Sequence, residues 1–208
     1  MALSKSELSR LKKACSKLEN GAHYRFYNYV ENIMNTALDF QMKYEVARDA
    51  IDYFIDNHNI NSHGKLKSFL EEYPNTKSGN IKLANLMWNN NHWTRAKFLR
   101  KLLECFEERG IKGQKSLEKW VRNADFETDV KGQFKTNEHS IGYALFHWLQ
   151  IKCGVNTVKP DVHILNYVSR NVGRRVGQEE AVESIKVVAK KLKKKAYWID
   201  AAIWNLER

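Results

Sequence analysis

Only two prolines, Pro74 and Pro160, interrupt this chain, and no stretch alternates apolar and polar residues with period two. Apolar residues recur three and four apart instead, the spacing that places them on one face of a helix. Strands joined by hairpin turns leave a different signature, so the pattern predicts an all-α fold of about ten helices. No repeat of fixed length is present, and the connectors are short, so residues 1–208 read as a single domain. A hydrophobic fraction of 43% and an aromatic fraction of 12% suffice to fill a packed interior.

The helices can be placed from their caps and breakers. Ser4 or Ser6 caps a first helix reaching about Leu18, stopped by Asn20-Gly21. An aromatic segment from His23 to Ala37 follows, and a third helix begins near Asp39. Lys65 to Tyr73 forms a short helix ended by Pro74, and Ser78 to Asn89 a weaker one. Trp93 to Arg109 is strongly amphipathic, with Gly110 as its stop. Ser116 caps a helix from Leu117 to Asn123, and Asp125 to Asn137 reads equally as a loop or a short helix. Asn137 starts a hydrophobic helix that Gly154 ends. A helix headed by Pro160, then Glu179 to Lys195 and Tyr197 to Leu206, complete the order.

The formal net charge is +11, which favours a polyanionic partner, nucleic acid ahead of membrane. Cys15, Cys105 and Cys153 are odd in number and widely spaced, and the seven histidines are scattered, so neither a disulfide framework nor a structural zinc site is indicated. The amino end has no apolar signal-peptide core and no run reaches membrane-span length, so a reducing cytoplasmic location is expected.

Val158-Lys159-Pro160-Asp161-Val162-His163 is the most informative stretch. Proline suits the first position of a helix, where its missing N–H would be unpaired anyway, which predicts Asp161 in the first turn. Leu165, Val168 and Val172 then share a face with it, so a carboxylate heads an apolar stripe. Such an acid is either a cap or a chemical tool. Gly142, read as lying inside a helix, points to a close backbone approach. Arg174-Arg175, between Gly173 and Gly177, is either a solvated turn or a phosphate clamp. The run Lys190 to Lys195 reads first as a solvated helix face, with phosphate contact as the alternative. Tyr24, Phe26, Trp88 and Trp93 are core residues or stacking platforms.

Taken together, these residues resemble the helix-hairpin-helix DNA glycosylases of the endonuclease III type (the HhH-GPD superfamily) over most of the chain. Val158 to Leu165 is similar to that family's V-D-T/V-H segment, whose Asp is catalytic. Ile141-Gly142-Tyr143-Ala144-Leu145, within Asn137 to Leu149, sits where the family has its hairpin and following helix. Leu38-Asp39-Phe40-Gln41-Met42 is similar to an early segment whose Gln wedges into the base stack. Trp93-Thr94-Arg95-Ala96-Lys97 and Trp198 to Trp204 resemble a core helix and the closing helix.

Departures from the pattern are informative as well. The family hairpin carries two glycines that let backbone N–H groups hold a phosphate. Here only Gly142 remains, after Glu138-His139-Ser140, a degenerate hairpin that shifts DNA anchoring to Lys131, Lys135, Ser140 and local backbone. Members that cleave the strand carry a lysine just after the hairpin. Tyr143 or Ala144 occupies that place and neither forms an imine. The four-cysteine iron–sulfur motif is absent, and the resemblance leaves room only for a monovalent cation at the hairpin, with no cofactor.

The resemblance therefore implies two interleaved helical lobes, with hairpin and catalytic segment at about 126–172. It implies a monofunctional glycosylase, a cytoplasmic monomer acting on double-stranded DNA without a membrane partner. Asp161 would stabilise the positive charge that builds on the sugar as the N-glycosidic bond breaks, and activate water. Tyr143 would fill the lysine position, and Gln41 would fill the gap left by the flipped base. Lys131, Lys135, Ser140, Gly142, Arg174 and Arg175 would hold phosphates, and Phe26, Tyr27, Trp93 and His139 would line the base pocket. The target would be a damaged, mismatched or modified base, including a modified base in foreign DNA such as a phage genome. A catalytically silent DNA-binding protein of the same fold is the main alternative, and an RNA-binding helical protein a third.

Overall fold

The computed structural model describes residues 2–19, 24, 26–39 and 42–208. Gln41, the expected wedge, lies outside the described residues, as do Phe40 and the Asn20-Gly21 stop. Among the described residues there are eleven α-helices, one π-helical turn and no strand, so the fold is all-α. In chain order the helices are α1 (Lys5–Cys15), α2 (Tyr29–Leu38), α3 (Tyr44–Asn57), α4 (His63–Glu71), α5 (Lys77–Trp88) and α6 (Trp93–Glu108). Then come α7 (Gln114–Asn123), the π-turn (Phe126–Val130), α8 (Tyr143–Lys152), α9 (Val162–Val172), α10 (Gln178–Leu192) and α11 (Ala196–Glu207). Among the described residues no helix is long and apolar enough to cross a membrane.

The chain divides into two compact units, one of residues 27–145 and one of residues 1–26 with 146–208. In the first, α2 packs on α3, α4 and α6, and α5 packs on α3 and α6. Every residue of α2 is buried, which makes it the central helix of that unit. Two of its polar side chains are accommodated locally: Asn32 Nδ2 donates to the Tyr27 carbonyl at 3.0 Å, and Thr36 Oγ1 to the Asn32 carbonyl at 2.8 Å. Asn28 and Glu31 form a capping box that fixes where α2 begins. Phe54, Phe98, Phe106 and Phe134 fill the interior of this unit. Each buried side chain of that size contributes roughly 1.5–3 kcal/mol.

In the second unit α9 packs on α1, α10 and α11, and α10 packs on α1 and α11. The apolar stripes are Leu11 and Cys15 of α1, Ile164 and Val168 of α9, Val182 and Ile185 of α10, and Ile199 and Ile203 of α11. Ser4 caps α1 with Glu7 returning the bond to the Ser4 N–H at 2.7 Å.

Five local expectations are corrected. Pro160 precedes α9 rather than opening it, and Asp161 is the N-cap, with extended backbone, because its side chain bonds the free N–H groups of the first turn. The α9 stripe runs through Ile164, Tyr167, Val168 and Val172, while Leu165 is half-buried. The helix expected from Asn137 begins only at Tyr143. Backbone bonds between Thr136 and His139 and between Ile141 and Phe134, at 2.8 and 3.1 Å, draw residues 134–141 into a hairpin loop instead. Gly142 is therefore outside any helix and exposed, and a Cβ built on it meets nothing within 4 Å, so no close approach explains it. Ser116 lies inside α7, which Gly113 caps; Ser116 Oγ bonds back to both backbone groups of Gly113.

Candidate active site

The segment leading into α9 is anchored residue by residue. Thr157 Oγ1 hydrogen bonds His147 Nδ1 at 2.8 Å, Val158 and Pro160 are buried, and the Pro160 carbonyl accepts from Gln178 Nε2 at 3.1 Å. The Lys159 N–H donates to Asp200 Oδ2 at 2.6 Å. The next residue but one is Asp161, whose Oδ1 accepts from the N–H groups of His163 at 3.0 Å and Ile164 at 3.3 Å. Among the described residues Oδ2 of Asp161 takes no hydrogen bond, and the side chain is half-buried. Val162, the next residue, is 59% exposed. One oxygen of Asp161 thus holds the helix, while the other takes no hydrogen bond among the described residues.

A second carboxylate lies behind the first. Asp200 of α11 is fully buried and accepts from both the Lys159 N–H and the Tyr24 hydroxyl. Burial pushes its pKa up to about 7; the two donors pull the other way, and the charge of Asp161 adds to the rise. Next to it, Trp148 meets Tyr24 edge-on with centroids 5.2 Å apart. Lys152 Nζ sits 4.2 Å and Lys159 Nζ 4.8 Å from the Trp148 ring centre. Lys152 is only 1% exposed, and its Nζ is covered by the faces of Trp148 and Tyr24. His147 is kept neutral by burial, its pKa lowered to about 4.

The hairpin belongs to the unit of residues 27–145. It brings the expected pocket residues Trp93 and His139 into one neighbourhood. His139 Nε2 hydrogen bonds Thr94 Oγ1 at 2.9 Å, and its ring lies 5.7 Å from that of Phe98. Lys97 bridges the two elements, bonding Glu138 at 3.1 Å while its ammonium lies 5.9 Å over Trp93. Burial lowers the pKa of His139, with Arg95 adding to the effect. Tyr143, the first residue of α8, meets Phe126 edge-on at 5.2 Å. Lys135 and Ser140 are exposed across a single backbone bridge, and Lys131 pairs with Glu127 at 2.7 Å.

Other expected residues are placed differently. Tyr27 is 3% exposed and belongs to the core. Phe26 is 56% exposed and leans edge-on against Tyr197, with centroids 6.4 Å apart. Arg174 is engaged by Glu7 at 2.8 Å and by Glu180 at 2.7 Å, while Arg175, exposed like it, makes no ion pair among the described residues. Among the described residues no cluster of three or more His, Cys, Asp or Glu is placed to hold a metal ion.

The residues that sequence reasoning passed over are Asp200 and Lys152. Each had one signal: an acid or a lysine on the apolar face of a helix, Asp200 between Ile199 and Ile203, and Lys152 directly after Ile151. The model of one protein family, a domain of unknown function (DUF8548), matches residues 20–208. No curated protein and no solved structure matches the chain.

Proposed function

The chain belongs to the DUF8548 family, and for it we propose a monofunctional DNA glycosylase with Asp161 as the catalytic carboxylate. The observation that carries this reading is the division of labour at Asp161. Oδ1 is fixed by two backbone N–H groups, and among the described residues Oδ2 takes no hydrogen bond, with exposed Val162 the next residue in the chain. A carboxylate oriented in advance stabilises charge without reorganising as the reaction proceeds.

In the proposed reaction the C1′–N bond of a flipped nucleotide breaks and its electron pair leaves with the base. Positive charge develops on the sugar, opposite Oδ2 of Asp161. Water then adds to C1′ and gives up a proton to the carboxylate, which returns it through solvent to the departed base anion, leaving an abasic sugar, a neutral free base and the carboxylate restored. Tyr143 and Ala144 offer no amine at the position after the hairpin, so the strand stays intact. The order of α7, π-turn, hairpin loop, α8 and an Asp-capped α9 supports the helix-hairpin-helix glycosylase architecture for this reading. The target is a damaged, mismatched or modified base in double-stranded DNA.

A panel of modified and mismatched duplexes, treated with alkali after incubation, tests this. Alkali-sensitive sites are expected with the natural chain and absent with Asp161→Asn. Full activity of that variant sinks the assignment. A second reading, a catalytically silent DNA-binding protein, is favoured by one fact: the two capping bonds give Asp161 a structural reason to exist. Under that reading the panel yields no sites while duplex binding persists.

A further inference from the structure

The connection between α10 and α11 carries a feature that the carboxylate chemistry does not use. Lys186 and Lys190 of α10, then Lys193, Lys194 and Lys195 of the linker, line a groove of about 540 Å³ with Asn156 and Trp198. Lysines in the last turn of a helix complement its dipole, and Lys190 and Lys191 do so. That explanation stops at the helix end. Lys193 takes the left-handed conformation, φ 56°, a place where α9 uses Gly173 at φ 84°. A lysine there extends the charge around the corner instead of ending it.

Counter-ions are scarce in this groove. Lys186 pairs with Glu183 at 2.9 Å, and Lys194 Nζ reaches the Leu18 carbonyl at 3.4 Å. Lys190, Lys193 and Lys195 are exposed and make no ion pair among the described residues. Like charges gathered without partners repel one another, so the fold gains nothing from their company. The indole of Trp198 forms part of the wall and Asn156 Oδ1 is occupied by the Ala196 N–H at 2.7 Å, which sets the depth of the groove. The concavity with an aromatic wall suits a strand of linked phosphates. A lipid surface is flat and is gripped by an exposed apolar wedge, and Trp198 is half-buried.

We propose that this groove binds the phosphodiester backbone of DNA through Lys190, Lys193 and Lys195. It thereby supplies the anchoring that a hairpin with one glycine lacks. The inference rests on the glycosylase reading for the choice of DNA over RNA. Each lysine that neutralises a phosphate releases condensed counter-ions, so the contact is readable from salt dependence.

The test is anisotropy of a labelled 20-bp duplex between 50 and 200 mM salt, using the full chain. The variants are a groove triple, K190Q/K193Q/K195Q, and a control triple from the other unit, K65Q/K82Q/K115Q. All six positions are exposed, and far-UV circular dichroism checks that both variants fold. The groove triple is expected to flatten the log–log slope by about 2.7, so the natural chain loses roughly 40-fold more affinity than it does over that range. The control triple is expected to leave the slope unchanged. Equal flattening in both triples, or none in the groove triple, overturns the proposal. So does lysine-dependent binding to vesicles containing phosphatidylserine with the DNA slope unaltered. Lysine-dependent DNA binding without any base release sinks the glycosylase reading and keeps the groove; base release with an unaltered slope in the groove triple does the reverse.

Discussion

The two units differ in how they hold charge. Residues 27–145 carry 17 Lys and Arg against 16 Asp and Glu, while residues 1–26 and 146–208 carry 18 against 8. Nearly all of the net charge of +11 therefore sits in the second set. In the balanced unit, cations meet carboxylates: Glu107 pairs with Lys67 at 2.8 Å and Lys112 at 3.2 Å, which holds its pKa down near 2. In the basic unit the pattern splits. Arg174 and Arg170 are matched by glutamates, Asp200 and Lys152 are buried, and among the described residues Lys193 and Lys195 after α10 make no ion pair. Paired charges shape a unit, whereas unpaired ones await something from outside it.

The sharpest test of that contrast is at the carboxylate. Asp161→Asn keeps one capping oxygen, so the fold is expected to persist while single-turnover base release falls by about 10²–10³-fold. His139→Ala, in the balanced unit, is expected to act on substrate affinity and much less on the rate of that step.

Next in size is Asp200. Its folded pKa is raised to about 7 from a model-compound value of 3.8, so between those values the folded chain holds a proton that the unfolded chain has lost. Its contribution to stability is therefore complete below pH 4, declines as pH rises toward 7, and is constant above. A difference of a few kcal/mol across that window is expected between the natural chain and Asp200→Asn in urea melts at stepped pH. Parallel curves would show that Asp200 is ionised throughout and that the basic unit tolerates a fully charged core.

Arg95 gives the corresponding measure for the balanced unit. It is 8% exposed and donates to the Leu38 carbonyl, with burial lowering its pKa. Arg95→Met leaves that buried carbonyl unsatisfied and is expected to cost about 1–3 kcal/mol in a denaturant melt. The smallest effect belongs to Lys131, already paired with Glu127. Lys131→Gln is expected to change the salt slope of DNA binding by less than about 0.5. A full unit of change would mean that the pair opens on binding and that the balanced unit also holds the strand.

Helix existence was legible in the spacing of apolar residues, because most of the helices bury one stripe and the stripe is local information. Boundaries were less so. The Asn137–Gly142 stretch runs directly into the apolar pattern of α8, yet its backbone finds partners across the loop at Phe134 and Thr136. Asp161 was singled out as the acid opening a helix, and the helix starts two residues later than expected because a side-chain cap outcompeted helical continuation. The rest depended on distant chain. Arg174 meets Glu7, 167 residues away, and Asp200 meets Tyr24, 176 away, so neither pairing has a trace in local pattern. The burial of Lys152 is of the same kind, since it needs the faces of Trp148 and Tyr24 to be assembled first.

The packing of α1 on α9 and α10 has a consequence for synthesis. When α1 leaves the ribosome, its partners are about 150 residues from being made, a wait of roughly 7–30 s at ordinary elongation rates. Residues 27–145 form a continuous stretch and can close during that interval. Leu11 and Cys15, fully enclosed in the finished fold, spend it uncovered. The nascent chain is thus open to chaperone capture at its leading helix, and shielding that helix until α9 emerges is a task for the cell rather than for the sequence.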